Sequence, residues 1–364
     1  MFSHCLLLIL LVSSIYCVQQ QFLSFDISKE YRLRVKQPLS CERITQYSGY
    51  IDNLITNEHT FFYFFPSRFS PEKDPVILWV NGGGGVGCSS MTGVWLEAGY
   101  AAQQGRLYIS LQSVMIGNGF FNYNEQQLSY ADYSCSTDSK YQPLFDKYTC
   151  RNLYTAKRRC EYLLNNCRRS FFSCYAARMY CKSHLADPFQ EKKLNPSDIR
   201  RKCNGKQYCS SVMDDIERYA NRQDVRQELG VDKQAGPFQY CKECILTRFK
   251  LSDDYQRDSS QEVAHILSSG IRVLIFSGDM NWENNWYGQM RWLSKLDWYG
   301  QVHFNDAMDT DWYSYVSGQK AGKVRTFDSL TFVKVYDAGQ FAIHDQPAST
   351  IDMFSRWIMQ RPFN

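Results

Sequence analysis

Residues Pro75–Ser90 read P-V-I-L-W-V-N-G-G-G-G-V-G-C-S-S. The apolar run Val76, Ile77, Leu78, Trp79, Val80 stops abruptly at Asn81 and a cluster of glycines. A short apolar run bounded by turn residues predicts a strand buried on both faces, as inside a parallel sheet. The glycines let the backbone take positive φ and approach a ligand closely. Bare N–H groups in such a turn hold an anion or an oxyanion. The same residues also make a strand-to-loop turn with no chemistry, and the glycines alone leave both readings open.

Outward from this stretch, further motifs follow in order. They are Q-Y-S-G-Y-I-D at Gln46–Asp52, V-M-I-G-N-G at Val114–Gly119, R-V-L-I-F-S-G-D at Arg272–Asp279 and A-G-Q-F-A-I-H-D-Q-P at Ala338–Pro347, the last followed by M-F-S-R-W-I at Met353–Ile358. Together with L-W-V-N-G-G and G-C-S-S they resemble the cathepsin A-like serine carboxypeptidase family, over most of the chain from Gln46 onward. The resemblance implies an α/β-hydrolase fold: a mostly parallel sheet between helices, with a cap inserted over its active-site side.

That family's chemistry needs a Ser oxygen to attack the peptide carbonyl, a His to take its proton and an Asp to orient the His. The Ser sits in a strand-to-helix elbow of the G-x-S-x-G type. No G-x-S-x-G occurs in this sequence. The chain runs from Leu96–Gly99 through Tyr100–Arg106 straight into the I-G-N-G strand, so on the order of a hundred family residues, the elbow among them, are absent. The family acid, second Asp of G-D-x-D, is replaced by Asn281. The family His of A-G-H-x-x-P is replaced by Gln340. Amides do not titrate near neutral pH and cannot serve as the base. His344, four residues further and flanked by Asp345, is the nearest imidazole in sequence, but a 1 Å misplacement already costs heavily in such sites. Ser89 and Ser90 have counterparts in active family members that are not the nucleophile; their expected role is to hydrogen-bond the turn.

The resemblance also implies substrate-binding positions. Trp79, Asn81, Gly82 and Glu97 match residues that recognise a peptide's C-terminal carboxylate, and Gly83 matches an oxyanion donor. Glu97 does so only when protonated, which an acidic compartment favours. The family's Pro is absent from the turn and extra residues precede Gly87, which alters the oxyanion geometry. Either a carboxylate site is retained, or these residues persist because the strand needs them.

Residues 1–25 carry no Lys, Arg, Asp or Glu, and Leu6–Val12 is a short apolar core followed by small residues and Cys17. This predicts a secretory signal peptide over 1–17 and a secreted or lysosomal protein. The apolar run is too short to span a bilayer, and no later segment reaches about 18 apolar residues. A net charge of +4 over 364 residues implies neither a nucleic-acid partner nor a membrane surface. Hydrophobic residues make up 44%, enough for a sizeable core. The Asp306, Asp309, Asp311 cluster lacks the Gly and terminal Glu of a calcium loop, and no metal or cofactor is expected.

From Phe120 to Arg218 the chain is basic, aromatic and rich in cysteine. In an oxidising route such cysteines form disulfides. Cys160, Cys167, Cys174 and Cys181 recur every seven residues with helical composition between them. On one straight helix neighbouring members stand about 10.5 Å apart. That exceeds the roughly 7 Å a disulfide spans. The four are therefore expected to pair outward, with Cys135, Cys150, Cys203 and Cys209 as available partners. The resemblance implies that Cys88 pairs near Cys241.

The expected organisation is a hydrolase core over 18–119, a cysteine-rich helical cap over 120–218 and the rest of the core over 219–364. The absence of central strands is expected to leave two unpaired sheet edges and a split core. The leading expectation is a catalytically inactive, secretory serine carboxypeptidase-like protein that binds a peptide or protein C-terminus. Its alternatives are a carboxypeptidase whose sequence is incomplete here, and a disulfide-stapled structural protein.

Overall fold

The computed structural model describes residues 22–38, 45–78, 111–167, 171–203, 209, 211–242, 244, 247 and 258–363. They divide between two compact units, one of 1–79 with 211–240 and one of 80–210 with 241–364.

The first unit is built on an antiparallel sheet in sequence order, β1 (Leu23–Asp26), β2 (Tyr31–Lys36), β3 (Tyr47–Asn53) and β4 (Glu58–Phe64). The aromatic and β-branched content of β3 and β4 suits a pleated surface. The turn between them closes on Asn53, whose side-chain oxygen accepts from the N–H groups of Ile55 and Thr56, and on Asn57 at φ 55°. On one sheet face Arg34 holds buried Asp52 with two hydrogen bonds of 2.6 and 2.7 Å, and Lys36 and Ser48 donate to the carbonyls of Gln227 and Leu229. The opposite face presents Leu33, Val35, Tyr47, Ile51, Phe62 and Phe64 around an open apolar hollow.

One expectation in this unit is overturned. Val76, Ile77 and Leu78 form no strand and are exposed, Val76 to 81%. An interior strand is buried only by neighbours on both sides; β4 is the last strand of this sheet, and no described strand lies beyond it to receive the run. The unit also holds two consecutive helices, Ser211–Ala220 and Gln223–Glu228. Arg222 is extended between them, and the Asn221 side chain is drawn to the backbone of Phe238 instead of continuing the helix.

The second unit carries a mixed five-stranded sheet. Its first strand in the chain is β5 (Ser113–Gly117). A small hairpin, β6 (Leu194–Asn195) with β7 (Asp198–Lys202), stands apart from the sheet. Then come β8 (Arg272–Gly278), β9 (Thr310–Tyr313), β10 (Lys320–Phe327) and β11 (Leu330–Val335), in the spatial order β5-β8-β11-β10-β9. β5, β8 and β11 are parallel, and β10 and β9 add antiparallel. The V-L-I-F run of β8 is buried throughout, as its lack of alternation predicts. One face packs Val273, Ile275, Leu330 and Phe332 against Leu267, Trp292, Leu293 and Phe304 of flanking helices. The other packs Leu274, Val333 and Val335 against Trp312, Met353 and Trp357. Each such side chain contributes about 1.5–3 kcal/mol of burial. A helix over Trp286–Ser294 follows β8. Among the described residues β5 pairs only with β8, and β4 of the first unit only with β3.

The cysteine-rich segment forms helices Tyr123–Cys135, Lys147–Asn166 and Phe171–Cys181, the first two started by Asn122 and Asp146 caps. Its disulfides are Cys135–Cys150, Cys160–Cys181, Cys167–Cys174 and Cys203–Cys209. The outward pairing expected for the seven-residue series is therefore wrong. The helix stops at Asn166 and turns back, so Cys160 faces Cys181 at 5.2 Å between Cα atoms and Cys167 faces Cys174 at 4.6 Å. The straight helix assumed in the spacing argument does not exist. Trp282 is stacked between Tyr130 and Phe189, with 4.1 Å between ring centres on each side, and donates to Ser134 Oγ. Cys241 is disulfide-bonded while Cys244 is free and exposed, so the C-x-x-C cysteines do not pair with each other. Cys88 lies outside the described residues.

Candidate functional site: an amide cluster at the C-terminal ends of the parallel strands

In an open parallel sheet, ligands bind beyond the carboxyl ends of the strands. Here β5 ends at Gly117 and β8 at Gly278, and the chain past each turns into the same small volume. Asn118, just after β5, takes φ 49°, a left-handed conformation that Asn tolerates. Its backbone N–H continues the ladder to the Phe276 carbonyl at 2.8 Å.

The Asn118 side chain ties three segments together. Its oxygen accepts from Ser277 Oγ (3.1 Å), the Gly278 N–H (3.0 Å) and Asn281 Nδ2 (3.1 Å). Its nitrogen donates to the Gln340 carbonyl at 2.8 Å. Asn281, fully buried, donates from Nδ2 to Gln340 Oε1 at 2.7 Å. Asn284 donates its backbone N–H to Asn281 Oδ1 at 3.2 Å, and its side-chain nitrogen reaches Gln340 Oε1 at 3.4 Å. The Asn284 side-chain oxygen is buried with no hydrogen-bond partner among the described residues. Asn118 and Asn284 were not singled out from the sequence. The signal lay in I-G-N-G and in the asparagine-rich run M-N-W-E-N-N, where several short amides follow the end of a strand.

Asn281 and Gln340, where the family resemblance is expected to place acid and base, are thus brought into direct contact. No carboxylate or imidazole stands at either end of that bond. Ser277 is a buried hydroxyl in the cluster, but the oxygen it meets belongs to an amide. His344 is turned outward and 55% of its side chain is exposed. Its Nδ1 lies 3.2 Å from Asp345 Oδ1. Asp345 is itself engaged by the Gly339 N–H (2.8 Å) and by Arg200 and Arg201. Trp79, Asn81, Gly82, Gly83 and Glu97 lie outside the described residues, as do Ser89 and Ser90.

Asp279 is the titratable group beside the cluster. It is buried, and desolvation pushes its pKa up from 3.8 to about 7 against the opposing pull of Lys334. Its Oδ1 accepts a long bond from the Ala338 N–H, and its carbonyl accepts from Tyr133 Oη at 2.8 Å. Glu283, in the following turn, is also pushed up to about 7 by desolvation. Among the described residues no group of acidic, His or Cys side chains is placed to hold a metal; Asp309 and Asp311 are paired with Arg325 and Lys320. No described helix is long and apolar enough to cross a membrane.

The serine carboxypeptidase family model matches residues 36–107 and 100–360, in two pieces that meet where the chain passes from Gly99 into the I-G-N-G strand. A carboxypeptidase Y homolog A from Podospora anserina is 30% identical over 423 residues, covering 90% of this chain and 75% of its own length. Ninety per cent of 364 residues is about 328, so roughly 95 aligned positions of that relative have no counterpart here. Carboxypeptidase Y from Komagataella phaffii is 28% identical over 421 residues, covering 90% of this chain and 79% of its own. The crystal structure of a prohormone-processing carboxypeptidase from Saccharomyces cerevisiae superposes with a TM-score of 0.59 at 22% identity, over 73% of this chain and 59% of that one. The α/β-hydrolase fold follows from that superposition, and the extent of the family match leaves one assignment: the chain belongs to the serine carboxypeptidase family.

Proposed function

We propose that this chain is a secretory-route member of the serine carboxypeptidase family that performs no acyl transfer and recognises peptide or protein C-termini. What carries the reading is the 2.7 Å bond from Asn281 to Gln340. At the places the family resemblance gives to acid and base, two amides satisfy each other, and neither accepts a proton near neutral pH. The sequence holds no G-x-S-x-G elbow to supply the family's attacking hydroxyl. The disulfides of the cap support an oxidising compartment. Trp79, Asn81, Gly82, Gly83 and Glu97 are the residues proposed to hold the terminal carboxylate.

The purified chain, incubated with N-blocked peptides at acid and neutral pH, is expected to release no C-terminal residue and to take no label from a serine-directed phosphonate. Release that such an inhibitor stops refutes the inactive reading. Calorimetry is expected to give heat with a peptide ending in a free carboxylate and none with its C-terminal amide; equal heats, or none from either, refute the binding part and favour the structural-protein alternative. A second reading, a carboxypeptidase whose sequence here lacks an internal segment, is favoured by the junction of the two family-matched pieces at 100–107. Sequencing the transcript across Gly99–Leu107 decides it for the Ser, but leaves the amides at 281 and 340 in place.

A further inference from the structure

We infer that the second unit holds a binding site for a small multivalent oxyanion of the phosphate or sulfate class, in the cavity between the Trp286–Ser294 helix and the β10–β11 hairpin. The cavity measures about 150 Å³ and is lined by Lys323, Arg325 and Lys334 with a single carboxylate, Asp309, over an apolar floor of Trp286, Met290 and Phe332. The backbone explains why the cations converge. Lys323 and Arg325 are two apart on β10, and Phe332 and Lys334 two apart on β11, so each pair shares a sheet face. The register sets Lys323 directly opposite Lys334, and Arg325 directly opposite Phe332.

Two lysines facing each other across an antiparallel pair repel, and such like-charge pairs are destabilising. Protein groups relieve this only in part. Arg325 has Asp309 at 2.7 Å. Lys334 is largely buried, with its Nζ 3.7 Å from the Trp286 ring centre and 3.7 Å from Asp138 Oδ2. Lys323 makes no ion pair among the described residues: β9 sets Asp311 opposite it, and that carboxylate is paired with Lys320 at 2.7 Å. Burial lowers the Lys334 pKa and Lys323 lowers it further, against the pull of Asp138, Asp279 and Asp309. A tetrahedral oxyanion between the two ammonium groups, with the free edge of the Arg325 guanidinium beside it, turns the repulsive rung into a charge-assisted clamp. The apolar floor keeps competing water away from those bonds and strengthens them.

The test is thermal unfolding and calorimetry of the full chain with inorganic phosphate, sulfate and acetate, each against sodium chloride of equal ionic strength. Phosphate and sulfate are expected to raise the wild-type Tm above the chloride control, and acetate is expected not to. Lys323→Gln is expected to weaken phosphate binding at least tenfold while raising the Tm measured without it, because the variant removes the repulsion. Lys323→Arg is expected to keep the response. The inference is overturned if wild type and Lys323→Gln respond alike, if phosphate does no more than chloride, if acetate matches phosphate, or if Lys323→Gln lowers the anion-free Tm.

Discussion

Replacing Asp279 by an asparagine reports directly on the electrostatics beside the amide cluster. Desolvation raises the folded-state pKa of Asp279 from 3.8 to about 7. Between those values the folded chain binds a proton that the unfolded chain has released, so stability falls as pH rises through the window, and the penalty from Asp279 reaches its full size above about pH 7. With 1.36 kcal/mol for each pKa unit, the difference amounts to about 4 kcal/mol at most. The substituted amide is a neutral isostere that keeps an oxygen for the Ala338 N–H, so Asp279→Asn is expected to gain up to that amount at neutral pH and almost nothing at pH 4. Glu283, raised from 4.5 to about 7, leaves a smaller dependence of the same sign in the variant. Asp52 works the other way: its hydrogen bond from Arg34 lowers its pKa, so its contribution is present above about pH 4 and lost as pH falls further. Urea midpoints followed by tryptophan fluorescence from about pH 2 to pH 8 measure all of this. A variant no more stable than wild type at neutral pH, or a pH slope unchanged by the substitution, refutes the assignment of a buried, destabilising carboxylate.

Asn281→Leu leaves Gln340 Oε1 without its shortest bond and removes one donor from Asn118, and is expected to cost about 1–3 kcal/mol for each buried group left unpaired, read as a lower denaturation midpoint. Asn281→Asp combined with Gln340→His restores the residue types of an acid–base pair, yet is expected to yield no peptidase turnover, since no nucleophile faces them. Turnover by that double variant would contradict the proposal. Cys160→Ser with Cys181→Ser opens a loop of 21 residues and is expected to cost about 3 kcal/mol, seen as earlier thermal unfolding and faster proteolysis of the cap. Trp282→Ala empties the slot between Tyr130 and Phe189 and is expected to cost about 3–5 kcal/mol in the same unfolding assay.

The sheet of the second unit was readable because its signals are local. The V-L-I-F run of β8 carries its burial in its own composition, and the glycines that end β5 and β8 mark where those strands stop. Two misreadings have one source. The cysteine series obeys the arithmetic of a continuous helix, but the turn after Asn166 is set by how the two helices pack, which a spacing rule does not see. The run Val76–Leu78 has the composition of a buried strand, but burial is conferred by neighbouring strands, and none is described there.

Residue identities alone show that positions 281 and 340 carry amides that do not titrate, because whether a side chain titrates is a property of its own covalent structure. That the two amides lie 2.7 Å apart, joined through Asn118 to the ends of β5 and β8, was decided only when segments 59 and 163 positions apart in the chain were folded together. The same holds for Lys323 and Lys334, harmless as separate letters and opposed once the hairpin sets its register. Chemistry resides in the residue, whereas proximity arises from the packing of the whole chain.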